Sequence, residues 1–309
     1  MVDPYSIRPP RVDEARAFAQ LERAVTLADY GEDEDDTENV EVTFRTLDLE
    51  RDAWLVENAA GAIAGGAMVR VRHPTRLRSR GLMLPEHRGR GLGSELLRRL
   101  QARAYELAAQ APPGEEVWLG QDVAPANDGA RELLERNGFD RIRHFWKMAI
   151  DLDAELPQAE WPDRIRLEPF NVSQAREAFD ASEEAFLDHW AHTPHDFDEW
   201  RAWMIERDSF DPSLWLIARD GNEIAGFSFC YAAPQEGWVA VLGVRRPWRR
   251  RGLGRALLLE SFRELRVRGL PRAALGVDAE NPTGATRLYE SVEMRVVLES
   301  HLYRKLLRR

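Results

Sequence analysis

The sequence predicts two tandem copies of one α/β domain, each a mixed sheet rich in hairpin connections and interleaved with a few helices. Three observations carry this expectation. Arg88-Gly-Arg-Gly-Leu-Gly93 and Arg249-Arg-Arg-Gly-Leu-Gly254 are nearly the same motif, and each follows an apolar run and opens an amphipathic segment. Trp54-Leu-Val and Trp215-Leu-Ile stand equally far ahead of their arginines, and Ile63-Ala-Gly65 recurs as Ile224-Ala-Gly226 at the same offset (249 − 88 = 161). The 309-residue length also suits about two domains of roughly 150 residues.

In the first copy, Ser6 to Arg8 reads as a strand and a helix follows from about Val12. Strands are expected at Trp54 to Glu57 and Ile63 to Arg72, with a turn at Asn58 to Gly61 between them. Gly81 to Leu84 leads into the glycine turn, Ser94 to Leu107 forms a helix, and Pro112-Pro-Gly114 stops the chain. Val117 to Leu119 is the next strand, Asn127 opens a short helix, and two closing strands lie within Phe139 to Ile150. The second copy repeats this order. Val239 to Val244 leads into the turn, a helix spans Arg255 to Val267, Gly269 and Pro271 stop it, and Met294 to Leu306 is a closing strand-rich stretch. The domains are therefore 1–151 and 164–309, and the proline- and acid-rich stretch 152–163 reads as a linker.

A strand that ends at a glycine turn and restarts as a helix aims several backbone N–H groups, and the positive end of the helix dipole, at one point. Each motif is thus a candidate pyrophosphate cradle: Arg88, Gly89, Arg90, Gly91, Gly93 and Ser94 in the first copy, and Arg249, Arg250, Arg251, Gly252, Leu253, Gly254 and Arg255 in the second. The third glycine of a dinucleotide-binding turn and the Gly-Lys-Ser/Thr of a P-loop are both absent.

The net charge of −10 argues against nonspecific binding to nucleic acid or anionic membrane. A single cysteine, Cys230, excludes an internal disulfide, and no apolar run resembles a signal or a membrane span. The expectation is a cytoplasmic protein that binds neither nucleic acid nor membrane. Its oligomeric state is open, and a monomer suffices because two copies share one chain. The acidic run Gly31 to Asp36 reads as an exposed loop.

The order of elements and the doubled Arg-x-x-Gly-x-Gly motif resemble the GCN5-related N-acetyltransferase (GNAT) superfamily. The second copy adds Leu275-Gly-Val-Asp-Ala-Glu-Asn281 and Arg287-Leu-Tyr289-Glu290. The tandem arrangement, with the fuller motif set in the C-terminal half, is similar to mycothiol synthase and its relatives. The resemblance implies acetyl-CoA as co-substrate, with its pyrophosphate in the cradle and its thioester carbonyl polarised by backbone N–H near Leu242, Gly243 and Val244. It also implies Tyr289 as the acid that protonates the thiolate. Asn281, followed by Pro282, is expected to cap the next helix and is a candidate contact to the coenzyme. Aligning Phe139 on Met294 sets Leu134 where Tyr289 stands, so the first copy lacks the acid and is expected to be non-catalytic.

Candidates for the general base are Glu236, at the mouth of the cradle strand, and Asp278 or Glu280 on its neighbour. Mycothiol synthases carry a glutamate where this chain has Trp238, which sets it apart from their specific substrate. The segment Asp188 to His195, with Trp200 and Trp203, is expected to wall the acceptor pocket. Pro194 breaks the alignment of His189, His192 and His195, so no metal site is expected. The expected function is transfer of acetyl directly to a primary amine of a small molecule. The rivals are acetylation of a protein lysine or N-terminus and a non-catalytic acyl-CoA sensor.

Overall fold

A computed structural model describes residues 5–188, 194–281 and 284–308. The first half runs β1 (Tyr5–Arg8), α1 (Ala15–Tyr30), α2 (Thr37–Thr46), α3 (Leu49–Asp52), β2 (Ala53–Asn58), β3 (Ile63–His73), β4 (Arg76–Met83), α4 (Leu92–Ala108), β5 (Val117–Val123), α5 (Asp128–Arg136) and β6 (Asp140–Asp151). The second half runs β7 (Ile165–Pro169), α6 (Ala175–Phe186), α7 (Phe197–Met204), β8 (Trp215–Asp220), β9 (Glu223–Ala232), β10 (Gly237–Val244), α8 (Leu253–Val267), β11 (Arg272–Asp278), α9 (Ala285–Glu290) and β12 (Arg295–Arg308).

The chain divides into two compact units, Met1–Phe145 with Leu298–Arg309, and Trp146–Val297. This division differs from the repeats in the sequence: the last residues of the chain complete the first unit, and the second unit begins within β6. Both closing segments form one long strand rather than two, because neither 140–151 nor 295–308 contains a glycine, proline or asparagine at which a turn could form. The stretch 152–163 has no helix or strand. It is nonetheless tied down, since Leu152 is fully buried and its N–H donates to the Pro271 carbonyl at 2.7 Å.

Within the first unit the strand order is β1-β2-β3-β4-β5-β12, antiparallel apart from the parallel β4/β5 pair. Helix α4 covers one face through Leu96, Leu97, Leu100 and Ala104 against Val56, Val69, Leu77 and Leu119. On the other face α1 and α2 bury Phe18, Leu21, Val25 and Phe44 against Leu55 and Met68. The apolar stripes on these helices recur at helical spacing, so each helix is fixed chiefly by burying one face.

The second unit repeats the layers with the order β7-β8-β9-β10-β11-β6 and a parallel β10/β11 pair. Helix α8 packs Leu258, Leu259, Phe262 and Leu265 over β10 and β11. Helices α6 and α7 cover the opposite face around Trp215, Phe227 and Phe229.

Candidate active site

Both glycine turns adopt the same geometry. Gly91 and Gly252 are the N-caps of α4 and α8 with φ of 81° and 83°, in the left-handed region where a side chain is strained. Two residues earlier stand Gly89 at φ 73° and Arg250 at φ 62°, so the second turn holds a non-glycine residue in that strained region. The amides of the first helical turn have no intrahelical acceptor.

The motif's first arginine ties the turn to its strand. Arg249 Nε donates to the Val244 carbonyl at 3.0 Å, and its other nitrogens reach Asp188 at 2.9 Å and the Ala185 carbonyl at 2.8 Å. Arg88 likewise donates to the Met83 carbonyl at 3.0 Å and pairs with Asp29 at 2.8 Å. Arg246 and Arg249 hold the Asp188 carboxyl at about 2, below the usual carboxylate range. Sequence reasoning assigned no such role to Asp188 or Asp29. The repeat contains the signal, but the two aspartates are offset by 159 positions (188 − 29 = 159) rather than 161.

Beyond the turn, the parallel strands part. β10 and β11 are registered only at Gly237 with Ala273 and Trp238 with Ala274. Residues 239–244 run past the last registered pair and present an unpaired backbone edge to the gap. A bulge at Ala240 interrupts the ladder with β9, between Val239–Cys230 and Val241–Phe229, where it turns the strand locally. The first unit splays in the same way after Ser79 and Gln121, and its β4 has no bulge at the matching place.

The gap in the second unit opens into a cleft of about 450 Å³. Leu242, Gly243, Val244, Arg249, Arg250, Gly252, Leu253, Gly254, Arg255, Asn281 and Tyr289 all line it. Ala185, Phe186, Trp248 and Leu288 also contribute and were not anticipated from the sequence. Arg251 instead lines a smaller depression with Asp163 and Asp220. Gly254 keeps α8 close to α9, for a Cβ there would lie 3.3 Å from Leu288 Cδ2.

Tyr289 on α9 is buried, 8% exposed, and desolvation pushes its phenol up to about 12. It therefore stays protonated at neutral pH, as a proton donor must. Asn281 lines the cleft but does not cap the helix: α9 begins at Ala285 behind Gly284 at φ 80°, and Pro282 lies outside the described residues. Asn281 N–H instead donates to the Asp278 carbonyl at 3.0 Å, closing a turn at the end of β11.

The three carboxylates separate. Four residues past the last registered pair lie Leu242 on one strand and Asp278 on the other, so Asp278 stands level with the splayed edge. It is buried, 3% exposed, and its Oδ1 accepts the Glu280 N–H at 3.0 Å. Glu280 is in the turn beyond the strand, off the face expected for it. Neither Asp278 nor Glu236 is among the residues that line the cleft, and Glu236 stands at the far end of β10. Six residues of strand separate it from Leu242, about 20 Å of extended chain. Its carboxylate pairs with buried Lys147 at 2.8 Å and lies 3.8 Å from Arg272.

The first cradle also forms a cleft, of about 310 Å³, lined by Arg88, Gly89, Gly91, Gly93 and Ser94 and not by exposed Arg90. Leu134 occupies the place of Tyr289: the Phe139 N–H donates to its carbonyl at 3.1 Å, as the Met294 N–H does to that of Tyr289 at 3.1 Å. The same offset (289 − 134 = 155) sets Val123 where Asp278 stands.

On the face of β9 and β10 turned to α6 and α7, Tyr231 and Trp238 are register partners. The Arg207 guanidinium lies 4.4 Å from the Tyr231 ring and the Lys147 ammonium 5.7 Å from the Trp238 ring. Trp200, expected in a pocket wall, packs instead in the core against Phe179, Trp215 and Phe229. His195 Nδ1 lies 2.8 Å from Glu183; His189 and His192 fall outside the described residues.

Comparison with known proteins agrees with this geometry. The model of the acetyltransferase (GNAT) family matches residues 17–139 and again 174–293. The mycothiol acetyltransferase of Acidothermus cellulolyticus is 31% identical over 304 residues, covering 90% of this chain and 89% of the relative. That of Saccharopolyspora erythraea is 31% identical over 253 residues, covering 78% and 81%. Among solved structures, a GCN5-related N-acetyltransferase from Sphaerobacter thermophilus is 33% identical with a TM-score of 0.87, covering 100% of this chain and 98% of that one. A tandem GNAT protein from the clavulanic acid biosynthesis pathway shares the fold at a TM-score of 0.69 and 16% identity, covering 99% of each chain. Among the described residues no helix is long and apolar enough to cross a membrane. The chain belongs to the acetyltransferase (GNAT) family, twice over, and is an acyltransferase that uses acetyl-CoA as its co-substrate.

Proposed function

We propose that the C-terminal half, 164–309, transfers acetyl from acetyl-CoA directly to a primary amine of a small molecule, and that the N-terminal half, 1–151, is non-catalytic. The observation that carries this reading is the asymmetry between the clefts. One is lined by buried Tyr289, with Asp278 at the end of β11 beside it although outside its lining, and the other is lined by Leu134, with Val123 at the position matching Asp278.

In the proposed reaction the pyrophosphate rests on the amides of the first turn of α8, and the acyl arm lies along the unpaired edge of β10. The amine nitrogen attacks the thioester carbonyl carbon. The oxygen gathers negative charge, and backbone N–H groups near Leu242 to Val244 stabilise it. Asp278 accepts the amine's proton, directly or through a water. The carbon–sulfur bond breaks, and the leaving sulfur takes the phenolic proton of Tyr289. An amide and free CoA result.

The relatives' name, mycothiol acetyltransferase, favours a small-molecule acceptor. The aromatic rings of Tyr231 and Trp238, register partners on the face of β9 and β10 turned to α6 and α7, suit the apolar face of a hydroxyl-bearing amine such as an amino sugar. Trp238 in place of the glutamate of mycothiol synthases argues for an acceptor other than theirs. The test is free-CoA release from acetyl-CoA across amino sugars, aminoglycosides, polyamines, amino acids and lysine peptides. Amine-dependent release is expected, with kcat falling about 10²-fold in Tyr289→Phe. Release from lysine peptides alone would refute the acceptor class, and release unchanged by the substitution would remove Tyr289 as the acid.

A further inference from the structure

The sheet face of the first unit that looks toward α1 and α2 carries three arginines, and a fourth lies beside them. Val69 and Leu77 point into the core under α4, so Arg70 on β3 and Arg78 and Arg80 on β4 point the other way, with Met68 and Leu82, and Arg72 stands at a bulge between Val71 and His73 within reach of Arg70 and Arg78. Arg70 and Arg78 are register partners, and Arg80 opposes Met68 next along the ladder. Like charges directly opposite on an antiparallel pair destabilise it.

The chain offsets only part of this charge. Arg78 pairs with Asp122 at 2.5 Å, and Arg80 pairs with Glu22 and lies 4.0 Å from Asp36. Arg70 has no such carboxylate among the described residues, and Asp36 and Asp122 act on it only from a distance. Desolvation, and after it the charge of Arg78, hold the Arg70 guanidinium below its ordinary value. Desolvation followed by repulsion from Arg70 and Arg78 pushes Arg72 down to about 10.

The second unit shows what these positions hold where Tyr289 is present. The ladders match from Gly65 with Met83 and Gly226 with Val244 to Met68 with Arg80 and Phe229 with Val241. Beyond the bulge at Ala240, Tyr231 opposes Trp238 where Arg70 opposes Arg78. The copy that lacks the acid has guanidinium groups where the other has aromatic rings.

We propose that Arg70, Arg72, Arg78 and Arg80 form a binding site for a compact polyanion bearing carboxylate or phosphate groups, a ligand of the N-terminal unit that is bound and not acetylated. Guanidinium forks match both groups bidentately, and an anion between Arg70 and Arg78 turns their repulsion into shared attraction. The site stands whichever copy catalyses acetyl transfer.

The test is calorimetric titration of the full chain with sodium phosphate and, separately, sodium citrate, at ionic strength held constant with chloride. Wild type would be compared with Arg70→Gln and with Arg251→Gln, which removes the same charge elsewhere. Saturable binding of at least one anion is expected in wild type and Arg251→Gln, weakened tenfold or more in Arg70→Gln. Preference for citrate marks a polycarboxylate ligand, and preference for phosphate marks a phosphate ester. No saturable binding of either anion, or binding indifferent to Arg70→Gln, overturns the proposal. Thermal unfolding without anion separates binding from structure. Arg70→Gln should unfold at the wild-type temperature or above, and an unfolding temperature several degrees lower would show an arginine that serves the fold and overturn the proposal as well.

Discussion

Gly243→Ala tests whether the cradle strand is held by the packing described above. Gly243 opposes Phe227 in the β9/β10 ladder. A Cβ on Gly243 would lie 2.3 Å from Cζ, 2.5 Å from Cε2 and 3.1 Å from Cε1 of the Phe227 ring. Relaxing the closest contact to an ordinary carbon–carbon separation of about 3.5 Å requires a shift of about 1.2 Å. Phe227 has no room to give it: the ring is fully buried and stacks on Phe229 at 4.9 Å, which stacks on Trp215 at 4.2 Å. Overpacking of this kind costs about 1–3 kcal/mol, and the immobile stack places the expectation near the upper end. In urea, with a slope of about 3 kcal/mol per molar, the midpoint should fall by about 1 M with the slope unchanged. Affinity for acetyl-CoA should weaken too, because Gly243 lies on the edge that lines the cleft. In a Phe227→Leu background the added methyl should cost less than about 1 kcal/mol, a coupling of about 2 kcal/mol between the two sites. Additive losses, or a midpoint within about 0.2 M of wild type, would refute the packing argument.

Three further outcomes are expected. Glu236→Gln should leave kcat within a few-fold and lower stability by about 3 kcal/mol in chemical denaturation, since it strands buried Lys147; Asp278→Asn should instead lower kcat by about 10²-fold, and a reversed pattern would return the base to Glu236. The Tyr289 phenol is raised to about 12 in the folded protein, so its contribution to stability is full below its ordinary value near 10 and is lost as pH rises through 12; unfolding measured from pH 9 to 12 should show an alkaline loss on the order of 2 kcal/mol that Tyr289→Phe lacks. Arg249→Ala should raise the acetyl-CoA KM about tenfold by freeing the turn from Val244 and Ala185, while Arg251→Ala should change it less than about twofold; equal effects would mean that charge and not anchoring sets affinity.

The cradles were legible because every signal they need is local. A left-handed φ requires glycine at the cap, an apolar run precedes it and a helical stripe follows, all within about twenty residues. Tyr289 was legible through the motif around it and Leu134 through the repeat. Trp200 was misplaced because an aromatic near a pocket and one in the core look alike in sequence, and only its contacts with Trp215 and Phe229 distinguish them. The Asn281 cap failed although Asn-Pro is a strong local signal, because the Asp278 carbonyl engages that backbone in a turn and delays the helix to Ala285.

The sequence by itself determined the doubled α/β fold, the two glycine turns that open helices, and the copy in which Tyr289 stands where the other has Leu134. Each rests on contacts between residues close along the chain or on comparison of one half with the other. The tertiary structure decided which carboxylate stands at the splay, which arginines anchor the turns and which line the cleft. It also revealed exchanged sizes across matching ladders: Phe227 opposes Gly243 in one unit, whereas Gly66 opposes Leu82 in the other. Strand register is a sum over many distant pairings, and a one-residue bulge such as that at Ala240 resets which side chains meet beyond it. Tyr231 therefore faces Trp238, and Arg70 faces Arg78, for reasons that no local window of the sequence contains.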